Sequence, residues 1–358
     1  ARAAPDANRD GVSPRKIIFF AMLLAQVPFI PELFLSYQQE INQSKSGFFR
    51  SGIIAENAAI SAEFAKGGRT ITIPHFNDLA GDSEILSDTV GLTATNLAGN
   101  AQIGVRNLRG RAWQSSDLAA ELAGDDPMRA IAIRTGEYWV RDCQTVMLSI
   151  LGGLFGPLAG GGVLSATHLF GGGSEKINAD TMIQAIALLG DAGQDLSAVA
   201  MDSETFYKLV RSDLIVPNTA PNIDAQIDTR VSGERAEVGT YLGRPVIVDD
   251  GLKPTGDFIG GGDDSGNVHT VYFFGPGAMV YSEIAPKTPV ESDRDVLRGT
   301  EVLVNRKEYM LHPLGISWTG TAAGNAPSNS EFADVGNWTR VFTDDRNIKI
   351  CALRGELS

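Results

Sequence analysis

An α+β fold follows from three observations along the 358-residue chain. A long amphipathic run with helical spacing opens at Pro127, alternating strand-like runs precede it, and helices and strands alternate after it. Apolar residues at 43% and charged residues at 20% are ordinary for a folded globular protein, and the length suffices for one large core or two ordinary domains.

The first 16 residues read as a weakly basic tail, with Arg2, Arg9, Arg15 and Lys16 against Asp6 and Asp10. Lys16 to Ile30 then mimics a signal peptide, because a charged start leads into an apolar run. The run is too short to span a bilayer, is broken by Gln26 and Pro28, and is followed by no small-residue cleavage motif. It therefore reads better as an arm or helix that packs on a neighbouring surface. Pro31-Glu32 suits a helix start, Leu33, Phe34 and Tyr37 form a stripe, and Gly47 interrupts it. A second amphipathic piece through Ile54, Ala58 and Phe64 ends at Gly67-Gly68.

The period then switches. Arg69 to Pro74 alternates like a strand, and a second alternating run, Gln102 to Trp113, answers it across a long Gly, Asp, Thr, Asn and Ala segment. Connections longer than about fifteen residues are unusual inside compact domains. The outgoing limb carries Asp78, Asp82, Glu84 and Asp88, while the returning limb carries Arg106, Arg109 and Arg111 and no acid. Two readings stay open on the residues alone. One is a solvated hairpin with weak cross-strand pairing; the other is an extended β-loop that docks on other chains by charge complementarity.

Asp125-Asp126-Pro127 suits the start of the longest helix, with acid at the N-terminus and proline in the first turn. From Pro127 to Leu151 it would measure about 37 Å at 1.5 Å per residue. Trp139, Cys143, Val146, Met147, Ile150 and Leu154 share its apolar face, with Arg134, Arg141 and Gln144 opposite. Gly152-Gly153 and the glycines from 156 to 162 are expected to break it.

The remainder alternates. A helix is expected over Asp180 to Leu189, a buried strand over Ala198 to Met201, and a helix capped by Asp202-Ser203 through Leu209. Pro245 to Val248 is a strand. Val268 to Phe274 and Ala278 to Tyr281 read as a hairpin around Gly275-Pro276-Gly277, residues 302–312 and 348–353 as strands, and Asn337 to Phe342 as a short helix.

The search for chemistry returns little. The formal charge of −13 argues against a DNA-coating protein, since phosphate binding rests on Lys and Arg. Cys143 and Cys351 cannot make a disulfide framework or a thiolate cluster, and His75, His168, His269 and His312 show no ligand spacing. There is no phosphate-binding loop. Gly315-Ile-Ser317-Trp-Thr319 resembles a nucleophile elbow, but a threonine replaces the last glycine and the context is strand-like. The loop Gly262 to Asn267 lacks the alternating ligands of a calcium site, which leaves a hydrolase built on Asp263-Asp264 as a remote reading. No catalytic, cofactor or metal residue is predicted and no enzyme is expected. An arm, a projecting loop, a strut helix and a catalytically empty body suggest a chain built for contact with its own copies.

An ordered series of short motifs supports this. They are Pro31-Glu-Leu-Phe34, Ser51-Gly-Ile-Ile54, Gly68-Arg-Thr-Ile-Thr-Ile-Pro74, Thr240-Tyr-Leu-Gly-Arg-Pro-Val-Ile-Val-Asp-Asp-Gly251 and Val271-Tyr-Phe-Phe-Gly-Pro-Gly-Ala278. Glu291 to Asp295, Arg306 through His312-Pro-Leu-Gly-Ile-Ser-Trp318, Asn337-Trp-Thr-Arg340 and Arg346-Asn-Ile-Lys-Ile350 complete it. Over residues 28–358 the sequence resembles tailed-bacteriophage major capsid proteins of the Hong Kong 97 type. The resemblance implies an N-terminal arm (1–66), an extended β-loop (67–114) and a peripheral domain with a spine helix (115–155, completed by about 285–320). It further implies an axial domain (156–284, completed by about 321–358).

It also implies assembly as pentamers and hexamers into an icosahedral shell around packaged double-stranded DNA, in the virion, without cofactor or membrane. Scaffolding, portal and decoration proteins are the possible further partners, and packaged DNA is touched only weakly. On this reading the β-loop lies over a neighbouring subunit, making Asp82, Glu84, Arg106, Arg109 and Arg111 candidate intersubunit contacts. Residues 1–27 have no clear counterpart in the family, which leaves open whether the arm is longer, swaps between subunits or binds an accessory protein; a secreted or surface-attached binding protein using residues 16–30 as signal or anchor is the alternative.

Overall fold

The computed structural model describes residues 47–76, 82–85, 91–92, 94, 96, 99–118, 121, 127–157, 161–172, 174–217, 239–252 and 268–357. The predicted arm before residue 47, Asp78, Asp88, Asp125-Asp126 and the Gly262 to Asn267 loop lie outside these residues.

The chain opens with α1 (Gly47–Arg50), β1 (Ile54–Glu56) and α2 (Ala58–Ala65). After α2, Gly67 and Gly68 take φ of +91° and +104°, a left-handed turn that side chains resist. Then come β2 (Thr70–Phe76), β3 (Gly99–Val105), β4 (Asn107–Ser116) and the long helix α3 (Pro127–Phe155). Next are β5 (Leu169–Phe170), α4 (Ala179–Ala187), β6 (Ala198–Met201), α5 (Ser203–Arg211), β7 (Val216–Pro217), β8 (Gly239–Tyr241) and β9 (Arg244–Val248). The C-terminal third supplies β10 (Val268–Phe274), β11 (Met279–Ile284), β12 (Val290–Asp295), β13 (Thr300–Pro313), β14 (Ile316–Trp318), α6 (Asn329–Ala333), β15 (Trp338–Arg340) and β16 (Ile350–Glu356).

Two sheets organise these elements. A seven-stranded sheet runs β5-β16-β10-β6-β9-β8-β7. All seven residues of β10 are buried, because both of its faces are covered. Tyr272 and Phe274 point into one core with α3, while Val271 and Phe273 point into another with Met182, Phe206 and Leu209 of α4 and α5. In the second sheet β13 is the hub. One edge pairs with β12 through Thr300–Asn305 and with β11 through Glu308–Pro313, and the other edge pairs with β4 through Thr300–Tyr309. The apolar face predicted for the long helix, Trp139 through Leu154, is buried, with Arg134 and Arg141 exposed opposite it.

The structure corrects several expectations. Gly152-Gly153 does not end α3, which continues to Phe155. A Cβ at Gly153 would stand 2.2 Å from the Phe332 carbonyl, so this glycine lets α6 approach the helix. The helix ends at Gly156 (φ +70°), whose carbonyl accepts a 2.9 Å hydrogen bond from buried Arg354. The strands β10 and β11 do not form a hairpin, because the turn at Gly275-Pro276-Gly277 passes the chain from one sheet to the other. Residues 338–340 form a strand against β14 rather than a helix. There the buried Trp338 indole donates to the Phe332 carbonyl at 2.8 Å and packs edge-on against Trp318 at 5.0 Å.

The alternating run 102–113 is not a single limb. It splits at Arg106: β3 pairs with β2, and β4 leaves to pair with β13. A lone two-stranded ribbon is marginal in water, whereas the open edge of β13 offers ten paired positions. Arg109 and Arg111 therefore belong to the sheet and not to a projecting hairpin.

Candidate functional site

The base of the β-loop is built from alternation. Ile71 and Ile73 point inward from β2 and meet Ile60 and Phe64 of α2 together with Val280 and Met310, a small core of their own. The buried amide of Gln102 on β3 accepts the Gly315 N–H at 2.9 Å, and the Ser317 hydroxyl accepts the Ile103 N–H at 2.9 Å. Those two bonds occupy the Gly315-Ile-Ser317 stretch, where Ser317 is a buried strand residue and no elbow exists.

At the corner between β3 and β4, Arg106 lies over the Phe64 ring at 4.5 Å, donates to the Phe64 carbonyl at 2.6 Å and pairs with Glu308. Arg109 donates to Asn329 Oδ1 of α6 at 2.6 Å and stands 3.8 Å from Asp142 of α3. Asp142 also accepts from the Tyr309 hydroxyl at 3.3 Å, and burial pushes that phenol well above its ordinary pKa. Nearby, Lys307 pairs with Glu283 at 3.0 Å, its ammonium about equally far from the rings of Tyr281 and Tyr309. The Trp139 indole donates to Asn305 Oδ1 at 2.6 Å. These contacts fasten α2, α3, α6 and β11 to the β4–β13 ladder within one subunit.

The five sequence candidates thus divide. Arg106 and Arg109 are spent inside the chain. Arg111, opposite Asn305 in the ladder, is exposed, and so are Asp82 and Glu84 in the connection between β2 and β3. Three features escaped the sequence reading. Ile85 beside those acids is 94% exposed, Val296 and Leu297 at the β12–β13 turn are 80% and 97% exposed, and a groove of about 460 Å³ lies along β4 and β13. Exposure of a single aliphatic residue leaves no periodic trace in sequence, and the groove depends on the pairing of β4 with β13, which local sequence does not carry.

Elsewhere the titratable groups are buried and structural. Asp202 caps α5 through the N–H groups of Glu204 and Thr205 and lies 3.2 Å from His269. Burial raises the Asp202 pKa, but hydrogen bonds from His269 and Thr205 outweigh it and hold the carboxyl below its ordinary value. Burial pushes both cysteine thiols up to about 12, which leaves them protonated and unreactive at neutral pH. Among the described residues no cluster of His, Cys, Asp and Glu could hold a metal ion, and no helix is long and apolar enough to cross a membrane.

Known proteins give this architecture its context. Residues 159–349 match the Gp13-like family, described as major capsid protein 13-like. The chain is 36% identical over 332 residues to the major capsid protein of Bacillus phage SPP1, an alignment covering 92% of this chain and 96% of that protein. In fold it is similar to the capsid of Ralstonia phage GP4, with a TM-score of 0.56 at 11% identity over 88% of this chain and 92% of that one. It is also similar to the capsid asymmetric unit of cyanophage Pam1, with a TM-score of 0.50 at 12% identity over 81% and 85%. The two-sheet body, the spine-like helix and the loop rooted on α2 are therefore those of the Hong Kong 97 type, and the chain belongs to the Gp13-like family of phage major capsid proteins.

Proposed function

We propose that this chain is the subunit that assembles, as pentamers and hexamers, into the icosahedral shell enclosing the double-stranded DNA of a tailed phage. The observation that carries the assembly reading is where apolar side chains remain in solvent. Ile85, Val296 and Leu297, the most exposed of the large ones described, stand in connections between strands rather than in a pocket. Apolar residues displayed at such tips fit contact with other chains. The arm (1–66) and the β-loop (67–114) would reach neighbours, and the spine-helix and axial domains would form the wall. Arg106 and Arg109 hold the root of the loop, while Asp82, Glu84 and Arg111 are exposed. The acidity of the chain suits a container, since a wall of like charge does not hold phosphate.

The experiment is production of the chain with and without a scaffolding protein, followed by light scattering and electron microscopy. Closed shells are expected. A chain that stays monomeric at high concentration in every salt condition, scaffold included, would overturn the reading.

A further inference from the structure

Among the described residues, two that are not glycine take a positive φ, Asp213 at +55° and Leu242 at +48°. Asp213 is explained where it stands. It follows α5, its N–H donates to the Val210 carbonyl at 3.1 Å, and the Leu214 N–H donates to the Leu209 carbonyl at 3.0 Å. That is a left-handed helix ending, which aspartate tolerates. Leu242 has no such account. The β8–β9 ladder pairs Tyr241 with Arg244, so Leu242 and Gly243 are the two residues of a tight hairpin turn, with Gly243 at φ +77°. A turn with both central residues left-handed favours asparagine before the glycine, because a bulky aliphatic side chain crowds its own backbone there.

The same side chain also lies in water. Leu242 is 64% exposed although both of its flanks are tied down: Tyr241 is buried, and Arg244 donates to the Leu196 carbonyl at 2.7 Å and to the Gly193 carbonyl at 3.0 Å. It lines neither of the surface grooves of about 400 and 460 Å³, which speaks against a small ligand. Strain and exposure on one residue both count against the isolated subunit, and asparagine would remove both. We infer that Leu242 is a contact residue between copies, its side chain buried by a second copy of this chain in the assembled shell. Backbone strain persists where a function beyond the fold itself selects it. Identical subunits are the neighbours of a capsid protein, and a closed ring presents the same turn at every contact, so a small gain per copy is multiplied. This inference rests on the shell reading and adds to it a named residue at which subunit stability is given up for assembly.

The test compares the full parent chain with Leu242→Asn and Leu242→Met, each assembled with scaffold. Leu242→Asn should raise the melting temperature of the unassembled subunit by about 2 °C or more, because the turn is relieved. It should also lower particle yield about tenfold or more, because the apolar contact is gone. Leu242→Met keeps an apolar side chain of similar volume and should leave both measurements unchanged. A photo-crosslinking residue, Leu242→p-benzoylphenylalanine, in particles made with excess parent chain should give adducts of twice the subunit mass. Adducts to scaffold alone, a lowered melting temperature with Leu242→Asn, or a normal particle yield with it would each overturn the contact while leaving the shell reading intact. Failure of the parent chain to form particles would overturn both.

Discussion

The two sheets treat their surfaces in opposite ways. In the seven-stranded sheet β6 and β10 are buried along their whole length between two cores, and the helices that cover it are capped by Asn178 and Asp202. In the β13 sheet, β12 shows five of its six residues to solvent, and β4 is exposed or half-exposed at nine of its ten positions. One region completes itself. The other leaves a flank exposed among the described residues, and on the proposed reading that flank is where subunits would join.

The strongest way to break the comparison is to damage the self-sufficient region. Phe273→Ala removes a fully buried ring from the core under α4 and α5, and the subunit should lose about 4 kcal/mol, read by urea unfolding. Assembly should then fail only as folding fails. Glu308→Ala tests the boundary between the regions. It leaves Arg106 over Phe64 with its charge uncompensated, at a cost of about 3 kcal/mol, and should loosen the β2–β3 root enough to raise its hydrogen exchange. A change under about 0.5 kcal/mol would place Arg106 among the surface pairs instead.

Acid should also act through the interior. Burial holds the His312 pKa down to about 4 against an ordinary 6.5. Between these values the unfolded chain binds a proton that the folded one refuses, so stability is complete above pH 6.5 and falls as the pH drops toward 4. The span corresponds to about 3 kcal/mol. His168, whose pKa is also lowered by burial, pulls the same way. His312→Phe should flatten the melting temperature across that window, and an unchanged slope would remove His312 as its cause.

Much of this division was legible in sequence and some was not. The long helix, its buried stripe, the Asp202 cap and the capsid resemblance rest on local spacing and motifs that survive without tertiary context. The partners of strands do not. Nothing in Val268 to Tyr281 says that its two strands join different sheets, and nothing in Gln102 to Trp113 says that the run changes partner at Arg106. Gly153 looked like a breaker because its role, admitting the Phe332 carbonyl, belongs to a residue far along the chain. Arg106, Arg109 and Arg111 looked equivalent for the same reason. Their separation into two residues anchored inside the subunit and one exposed residue depends on α2, α3 and β13, which only the fold brings together.

The smallest effect on the subunit is the sharpest test of the open flank. The β12–β13 turn is tied by local contacts: Asp295 Oδ1 accepts the Leu297 N–H at 3.0 Å, Gly299 takes φ +60°, and Asp117 pairs with Arg294 at 2.5 Å. Leu297 stands at this turn with 97% of its surface in water, where it adds nothing to the fold of the subunit. Leu297→Ser should leave unfolding within about 0.5 kcal/mol of the parent, as expected for a surface change. If the tip meets another copy, the same substitution should lower the denaturant or salt concentration at which assembled particles fall apart. A loss of subunit stability instead would mean that the tip packs within its own chain and that the exposed flank is narrower than the two sheets suggest.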